Sequence, residues 1–144
     1  MSQSSTKLIL VLEDNDERIV AFKDAIESLG DFRLHLWKSA VAMLTDLPEL
    51  LSDAVLISLD HDLNPESESA PDPGTGLEVC EFLATRPSCC PVILHTSNHE
   101  RVWSMHNELR FAGWTAERVG PLGDKWIHTS WLPTAARLLE KGRQ

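Results

Sequence analysis

Leu59-Asp60-His61-Asp62-Leu63 closes an apolar run that begins at Ala54. The Val, Ile and Leu residues of this run predict a strand that is buried on both faces, as strands of a parallel sheet are. Open α/β sheets bind their ligands beyond the carboxyl ends of the strands, which is where these two carboxylates and the imidazole would lie. The sequence therefore predicts a polar site at the C-terminal edge of a parallel sheet.

A second acidic pair, Glu13-Asp14, follows the apolar run 8–12. If the two runs form neighbouring parallel strands, their carboxylates converge, and like charges at short range raise one another's pKa. A divalent cation with oxygen ligands, Mg²⁺ or Mn²⁺, would offset this charge and often accompanies phosphate chemistry. The predicted metal ligands are Glu13, Asp14, Asp60 and Asp62. Helix capping by Glu13 and Asp14 and a turn role for Asp62 are the alternatives.

Five predicted strands alternate with five predicted helices along the chain. Strands are predicted at 7–12, 32–37, 54–59, 91–95 and 115–119. Helices are predicted at 16–29, from a Ser39 cap to a stop at Pro48, at 75–85, from Asn98 to Gly113, and from about Ser130 onward. This alternation with short connections is typical of an α/β fold, and we expect a three-layer αβα sandwich with a five-stranded, parallel, doubly wound sheet.

Length and composition predict one domain over residues 1–144. The net charge of −9 argues against a broad nucleic-acid-binding surface, and no apolar run is long enough to cross a membrane. We expect residues 1–6 to be a disordered leader. The Pro-, Gly- and Ser-rich stretch 64–76 is expected to be a flexible loop, either a lid over the site or a variable surface loop.

Three cysteines, Cys80, Cys89 and Cys90, lack the spacing of a metal site. Adjacent cysteines rarely form a disulfide with each other, because the geometry of the bond disfavours it. We therefore expect reduced thiols in a cytoplasmic protein. A redox role for Cys89-Cys90 is the minor alternative.

Polar residues also follow the fourth predicted strand, in His95-Thr96-Ser97-Asn98. Hydroxyl, amide and backbone N–H groups at a helix start can bind phosphate oxygens, although Ser97 or Asn98 can equally be a plain N-cap. Histidines near carboxylates can serve as general acids, so His61 and His95 join Asp60 and Thr96 as candidate catalytic residues. A hydrogen-bonded structural histidine is the alternative for each, because strand alternation can point His95 away from Thr96.

The order of these motifs resembles a response-regulator receiver domain over residues 7–139. The resemblance implies that Glu13 and Asp14 bind Mg²⁺, that Asp60 accepts a phosphoryl group and that Thr96 contacts phosphoryl oxygens. Receivers carry Lys-Pro after the fifth strand, whereas this chain has Gly120-Pro121. The resemblance thus implies that another cationic side chain takes the place of the receiver lysine at the phosphate. Lys125 and Arg118 are the candidates.

Three short stretches look more specifically like the cyclic-phosphate-processing receiver-like family. They are Leu12-Glu13-Asp14-Asn15, Leu59-Asp60-His61-Asp62-Leu63 and His95-Thr96-Ser97-Asn98. This resemblance implies metal-dependent hydrolysis of a cyclic phosphate, either a nucleotide or an RNA end of the 2′,3′ type. The alternative is a stand-alone receiver phosphorylated on Asp60. The expected partner is a small phosphorylated or cyclic-phosphate substrate, and a homodimer is possible because receivers often pair through their fourth helix and fifth strand.

Overall fold

The computed structural model describes residues 7–141. The strands are β1 (Leu8–Leu12), β2 (Arg33–Trp37), β3 (Ala54–Leu59), β4 (Val92–Leu94) and β5 (Ala116–Arg118). The helices are α1 (Asp16–Leu29), α2 (Ala40–Leu50), α3 (Gly76–Leu83), α4 (His99–Phe111) and α5 (Leu132–Lys141). A 3₁₀ turn (Leu51–Asp53) precedes β3, and a π-helical turn (Ile127–Trp131) leads directly into α5.

All four strand pairings are parallel, and the strand order is β2-β1-β3-β4-β5. The apolar side chains of α1 and α5 pack on one face of this sheet, and those of α2, α3 and α4 pack on the other. The predicted αβα sandwich with a five-stranded parallel sheet is therefore confirmed. No helix among residues 7–141 combines the length and apolar character that a membrane span requires.

Alternation along the strands decides which helical layer each side chain meets. Ile9 and Val11 belong to the cluster with α1 and α5, whereas Leu8, Leu10 and Leu12 belong to the cluster with α2, α3 and α4. Because successive side chains of a strand point to opposite faces, Glu13 continues the row of Ile9 and Val11. The first acidic residue after β1 thus lies on the α1 side of the sheet.

Two of the predicted helix boundaries are wrong. Pro48 does not end α2, which continues to Leu50 with Pro48 inside its last turn. Proline is compatible with helical φ and removes one backbone donor, and burial of Leu47 and Leu51 keeps this end of the helix on the sheet. The last α-helix begins at Leu132 rather than near Ser130, because the π-helical turn occupies the preceding residues.

The segment between β3 and α3 has neither helix nor strand from Asn64 to Thr75, and Gly76 is already the first residue of α3. Thr75 caps α3, with its side chain and that of Glu78 forming a reciprocal capping box. A Cβ on Gly76 would clash with the backbone oxygen of Asp60 and would lie 2.8 Å from Met105 Cε. Glycine is therefore required where α3 passes the end of β3. The expected leader, residues 1–6, lies outside the described residues.

Candidate active site

Three polar side chains meet in the interior at the C-terminal edge of the sheet. Glu13 and His95 are fully buried and Asp60 is 6% exposed. One potential ligand atom from each of the three lies within 4.8 Å of the other two. Glu13, Asp60 and His95 follow β1, β3 and β4, so the convergence results from the parallel order of these neighbouring strands.

Glu13 is the most enclosed of the acidic residues. Its Oε2 accepts hydrogen bonds from the backbone N–H groups of Asp14 (3.1 Å) and Asn15 (3.0 Å). Its Oε1 lies 3.2 Å from His95 Nε2 and 3.7 Å from Arg18 Nη1. The approach to His95 has the distance of a hydrogen bond without its angles, so both buried atoms lack an aligned partner. Glu13 Oε1 is therefore available to bind a cation or to accept a further hydrogen bond.

A hydrogen-bond chain fixes the orientation of His95. Trp131 Nε1 donates to Ser58 Oγ at 2.8 Å, and Ser58 Oγ lies 2.6 Å from His95 Nδ1. An indole N–H can only donate, so Ser58 Oγ accepts from Trp131. A carboxylate oxygen can only accept, so the hydrogen of a neutral His95 is on Nε2, facing Glu13 Oε1, and Nδ1 accepts from Ser58. In this tautomer His95 is a donor toward Glu13 rather than a metal ligand.

Different neighbours separate the protonation behaviour of the two central carboxyl groups. Burial raises the pKa of Asp60 to about 6, and the charge of Glu13 adds to the effect, against the opposing effects of His95, the hydrogen bond from the His61 N–H and the charge of Arg18. Burial also opposes ionisation of Glu13, but the contact with His95, the Asn15 N–H and Arg18 outweigh it and hold the pKa of Glu13 below its ordinary value. Glu13 is thus the ionised member of the pair, and Asp60 changes charge near neutral pH.

A cavity of about 680 Å³ opens above these groups, and we call it the acidic cavity. Its walls include the carboxylates of Glu13, Asp14, Asp60 and Asp62. Asp14 Oδ2 accepts a hydrogen bond from Asn64 N at 2.6 Å. Asp62 is turned toward α4: its side chain is 66% exposed and accepts hydrogen bonds from His61 Nδ1 (2.9 Å) and Asn98 Nδ2. The hydrogen bond from His61 lowers the pKa of Asp62.

The cations in the acidic cavity are Arg18 and Lys38, which the sequence analysis missed. Arg18 Nη1 lies 3.9 Å from Asp60 Oδ2, and Lys38 Nζ lies 2.8 Å from Asp16 Oδ1. A signal was present in the sequence: Arg18 is in the first turn of the helix after β1, and Lys38 directly follows β2. Both positions belong to the edge of the sheet that carries the carboxylates.

The two cations suggested earlier, Arg118 and Lys125, do not line the acidic cavity. Arg118 is at the end of β5, with its guanidinium 4.3 Å from the centre of the Trp103 ring. Lys125 precedes the π-helical turn, and its backbone oxygen accepts hydrogen bonds from His128 N and Thr129 N. A phosphate bound among the carboxylates would therefore meet Arg18 and Lys38 first.

Of Thr96, Ser97 and Asn98, which follow β4, only Ser97 lines the acidic cavity. Thr96 is nearly buried and its Oγ1 accepts a hydrogen bond from Asn98 N at 3.1 Å. Asn98 is the N-cap of α4, with its Oδ1 accepting from Arg101 N. The capping alternative is thus confirmed for Asn98. His61 is also nearly buried, with its ring held by Asp62, and it does not line the acidic cavity.

The donor set fits a hard divalent cation such as Mg²⁺ or Mn²⁺. The acidic cavity offers carboxylate oxygens from Glu13, Asp14 and Asp60, and Glu13 Oε1 is buried without an aligned hydrogen-bond donor. An uncompensated buried carboxylate is costly, and Arg18 is close enough to both Glu13 and Asp60 to offset only part of the charge. These three carboxylates are the residues that would hold such a cation.

A family model described as a cyclic-phosphate processing receiver domain matches residues 9–111, which is more than half of the chain. The chain belongs to this family. The match includes all three motifs that carry Glu13, Asp60 and His95, so the site of this receiver domain lies within the matched region. The suspected resemblance is therefore confirmed.

Solved receiver domains share the fold. The response regulator receiver domain from Rhodospirillum rubrum is 14% identical, with a TM-score of 0.67 over 95% of this chain and 94% of that chain. The CheY-like receiver domain protein from Methanospirillum hungatei is 20% identical, with a TM-score of 0.63 over 96% and 99% of the two chains. The response regulator domain of Thermotoga maritima CheB is 23% identical, with a TM-score of 0.63 over 96% and 95%. No match was found among the curated proteins.

Proposed function

We propose that this receiver domain hydrolyses a cyclic phosphate in the acidic cavity with the help of Mg²⁺ or Mn²⁺. One observation carries the proposal: Glu13 and Asp60 meet in the interior beneath an open cavity, next to a buried histidine whose proton faces Glu13. The family to which the chain belongs, named for cyclic-phosphate processing, supports the same substrate class.

The reaction is the addition of water to a cyclic phosphate diester. The water oxygen bonds to phosphorus, one ring P–O bond breaks, and the water proton ends on the leaving oxygen, so the product is a phosphate monoester. A divalent cation supplies charge neutralisation for the phosphoryl oxygens. Glu13, Asp14 and Asp60 hold the cation, and Arg18 and Lys38 contact the non-bridging oxygens of the phosphate.

Three residues have supporting roles in this proposal. Asp60, with a pKa of about 6 before any cation binds, orients the attacking water from the cavity wall. His95, with its Nε2 3.2 Å from Glu13 Oε1, stabilises the ionised form of Glu13, and Ser97 supplies a hydroxyl to the phosphate because it lines the cavity. His61 and Thr96 remain predicted catalytic residues, each acting from just outside the cavity wall.

The test is a turnover assay on 2′,3′-cyclic nucleotides and on an RNA that ends in a 2′,3′-cyclic phosphate, with Mg²⁺, Mn²⁺ or EDTA. Wild type should form the monoester only with a divalent cation, and Asp60→Asn should lose about 100-fold or more of this rate. Asp53→Asn is the matched control, since Asp53 lies just before β3 at the opposite edge of the sheet. The proposal is wrong if wild type hydrolyses none of the cyclic phosphates, or if Asp60→Asn hydrolyses them as fast as wild type does.

A second candidate function is a receiver that is phosphorylated on Asp60. The position of Asp60 favours it, because this carboxylate follows β3 in a receiver fold, lines an open cavity and lies beside Glu13. Treatment with a small phosphodonor and Mg²⁺, followed by intact-mass measurement, tests it. An adduct of one phosphoryl group that is absent in Asp60→Asn supports phosphorylation, and no adduct with any donor counts against it.

Location and assembly complete the proposal. We place the protein in the cytoplasm, where Cys80, Cys89 and Cys90 would stay as the free thiols that they are in the structure. A homodimer that uses α4 and β5 remains a prediction, which sedimentation of the purified protein can test. An RNA end as substrate is covered by the turnover assay.

A further inference from the structure

A second cavity adjoins the acidic one, and we call it the apolar cavity. It has a volume of about 520 Å³ and lies between the segment 64–73 and the residues from Leu36 to Ala42. The two cavities have four wall residues in common: Lys38, Asn64, Pro65 and Glu66. A molecule with its phosphate among the carboxylates could therefore extend past Lys38 into the apolar cavity.

Hydrogen bonds hold the segment over this second cavity at both ends. Asn64 N donates to Asp14 Oδ2 at 2.6 Å, which ties the beginning of the segment to the acidic cavity. Pro73 O accepts from Ala40 N at 2.7 Å and from Val41 N at 3.2 Å, which ties its end to the first turn of α2. These hydrogen bonds fix the position of one wall of the cavity relative to the carboxylates.

The walls of the second cavity differ in character from those of the first. Apolar side chains form most of its lining, among them Leu36, Trp37, Val41, Pro65, Pro71 and Pro73. Among them Val41 is 55% exposed, which leaves its surface available to a bound molecule. Polar groups at the junction with the acidic cavity are Lys38, Asn64 and Glu66. The cavity therefore suits a ring system that is apolar on its faces and polar at its edges.

We infer that the apolar cavity binds the organic part of the cyclic-phosphate ester, a group of the size and polarity of a nucleoside, and that Val41 determines this specificity. The inference rests on the proposed function, because it takes the phosphate to lie in the acidic cavity. The volume falls within the range of small-molecule sites, about 300–1,000 Å³. Lys38, at the junction, meets the phosphate or a sugar hydroxyl next to it.

The test fills the cavity with Val41→Trp and compares two substrates. One is a nucleoside 2′,3′-cyclic phosphate, and the other is ethylene phosphate, a five-membered cyclic phosphate without sugar or base. Val41→Trp should raise KM for the cyclic nucleotide about tenfold, equivalent to roughly 1.4 kcal/mol, with kcat within about twofold. The kinetic constants for ethylene phosphate should stay at the wild-type values, because its phosphate uses only the acidic cavity.

Val20→Trp is the matched control, since Val20 is 67% exposed on α1 and lines neither cavity. Thermal unfolding followed by circular dichroism checks that both tryptophan variants are folded. An unchanged KM for the cyclic nucleotide in Val41→Trp, or an equal loss on both substrates, overturns the inference while leaving hydrolysis intact.

Calorimetric binding of a nucleoside 2′-monophosphate and of inorganic phosphate, with Mg²⁺ present, separates the two proposals if no substrate is turned over. Nucleotide binding that weakens about tenfold in Val41→Trp, with phosphate binding unchanged, supports the second cavity even where the hydrolysis proposal has failed. Nucleotide that binds no more tightly than phosphate overturns the inference.

Discussion

Ser58 Oγ lies 2.6 Å from His95 Nδ1 in the interior of the protein, and both side chains are fully buried. The contact joins β3 to the end of β4, and Trp131 Nε1 extends it to the π-helical turn before α5. Through His95, this chain ends at Glu13 Oε1, 3.2 Å away. The position of His95 beside the Glu13 carboxylate is thus linked to a tryptophan near the other end of the sequence.

The first prediction concerns the His95 tautomer. Trp131→Phe keeps an aromatic ring in the core but removes the indole N–H, so the Ser58 hydroxyl loses the donor that holds it in place beside His95 Nδ1. We expect nitrogen chemical shifts of His95 to change from the Nε2–H tautomer to a mixture, and stability to fall by about 1–3 kcal/mol. Trp103→Phe is the control, because Trp103 is 52% exposed on α4. An unchanged His95 spectrum in Trp131→Phe would show that the chain does not set the tautomer.

The second prediction is a pH dependence of stability through Asp60. Its pKa is about 6 in the folded protein and 3.8 as the ordinary value, so between these pH values the folded state binds more protons than the unfolded state. The contribution of protonated Asp60 to the free energy of unfolding is therefore fully present below pH 3.8. It is lost as pH rises through 6, and the loss reaches about 3 kcal/mol. Asp60→Asn should remove this loss, because the amide oxygen can still accept from the His61 N–H.

Urea unfolding in EDTA at several pH values measures this effect. Asp60→Asn should be more stable than wild type at pH 7.5 and equal to it at pH 4, whereas Asp53→Asn should follow wild type at both. Equal stability of wild type and Asp60→Asn at pH 7.5 would mean that the Asp60 carboxylate is better solvated than its burial indicates.

The third prediction is that divalent cations offset the loss of stability that ionisation of Asp60 causes. A cation bound by Glu13 and Asp60 stabilises the folded state by about 1.4 kcal/mol at ten times its Kd, which corresponds to a rise in Tm of roughly 3–6 °C for a domain of this size. Mg²⁺ should raise the Tm of wild type at pH 7.5 and leave Glu13→Gln and Asp60→Asn within about 1 °C. A similar rise in all three proteins would place the cation elsewhere.

The fourth prediction concerns Gly76, whose Cα passes the Asp60 backbone without room for a Cβ. Gly76→Ala should displace the end of β3, with a loss of stability of about 1–3 kcal/mol and a weaker response to Mg²⁺. Gly120→Ala serves as the comparison, because a Cβ there meets its nearest atom, Leu122 Cγ, only at 4.0 Å. Wild-type Mg²⁺ affinity in Gly76→Ala would show that the site tolerates movement of Asp60.

The fold was predictable from sequence because its signals are local. Strands and amphipathic helices alternate five times, and the caps of α1, α2 and α4 at Asn15, Ser39 and Asn98 mark helix starts. The failure at Pro48 shows the limit of such signals. Packing of neighbouring leucines outweighed the single hydrogen bond that the proline removes.

The candidate site was predictable in part. Short acidic motifs at strand ends indicated that Glu13 and Asp60 would meet, since parallel strands bring their carboxyl ends to one edge. Alternation along β3 and β4 could also have placed His95 on their side of the sheet, because His95 continues the row of Ile93 as Asp60 continues that of Ser58.

The sequence by itself determined the parallel sheet and the edge at which its polar residues collect, because these follow from short-range periodicity. Only the tertiary structure decided which charged groups share that edge: Arg18 and Lys38 line the cavity, while Arg118 and Lys125 do not. It also brought Trp131 against Ser58, 73 residues away in sequence. Local position brings a residue to the edge of the sheet, but how the helices pack across the sheet decides which side chains meet there.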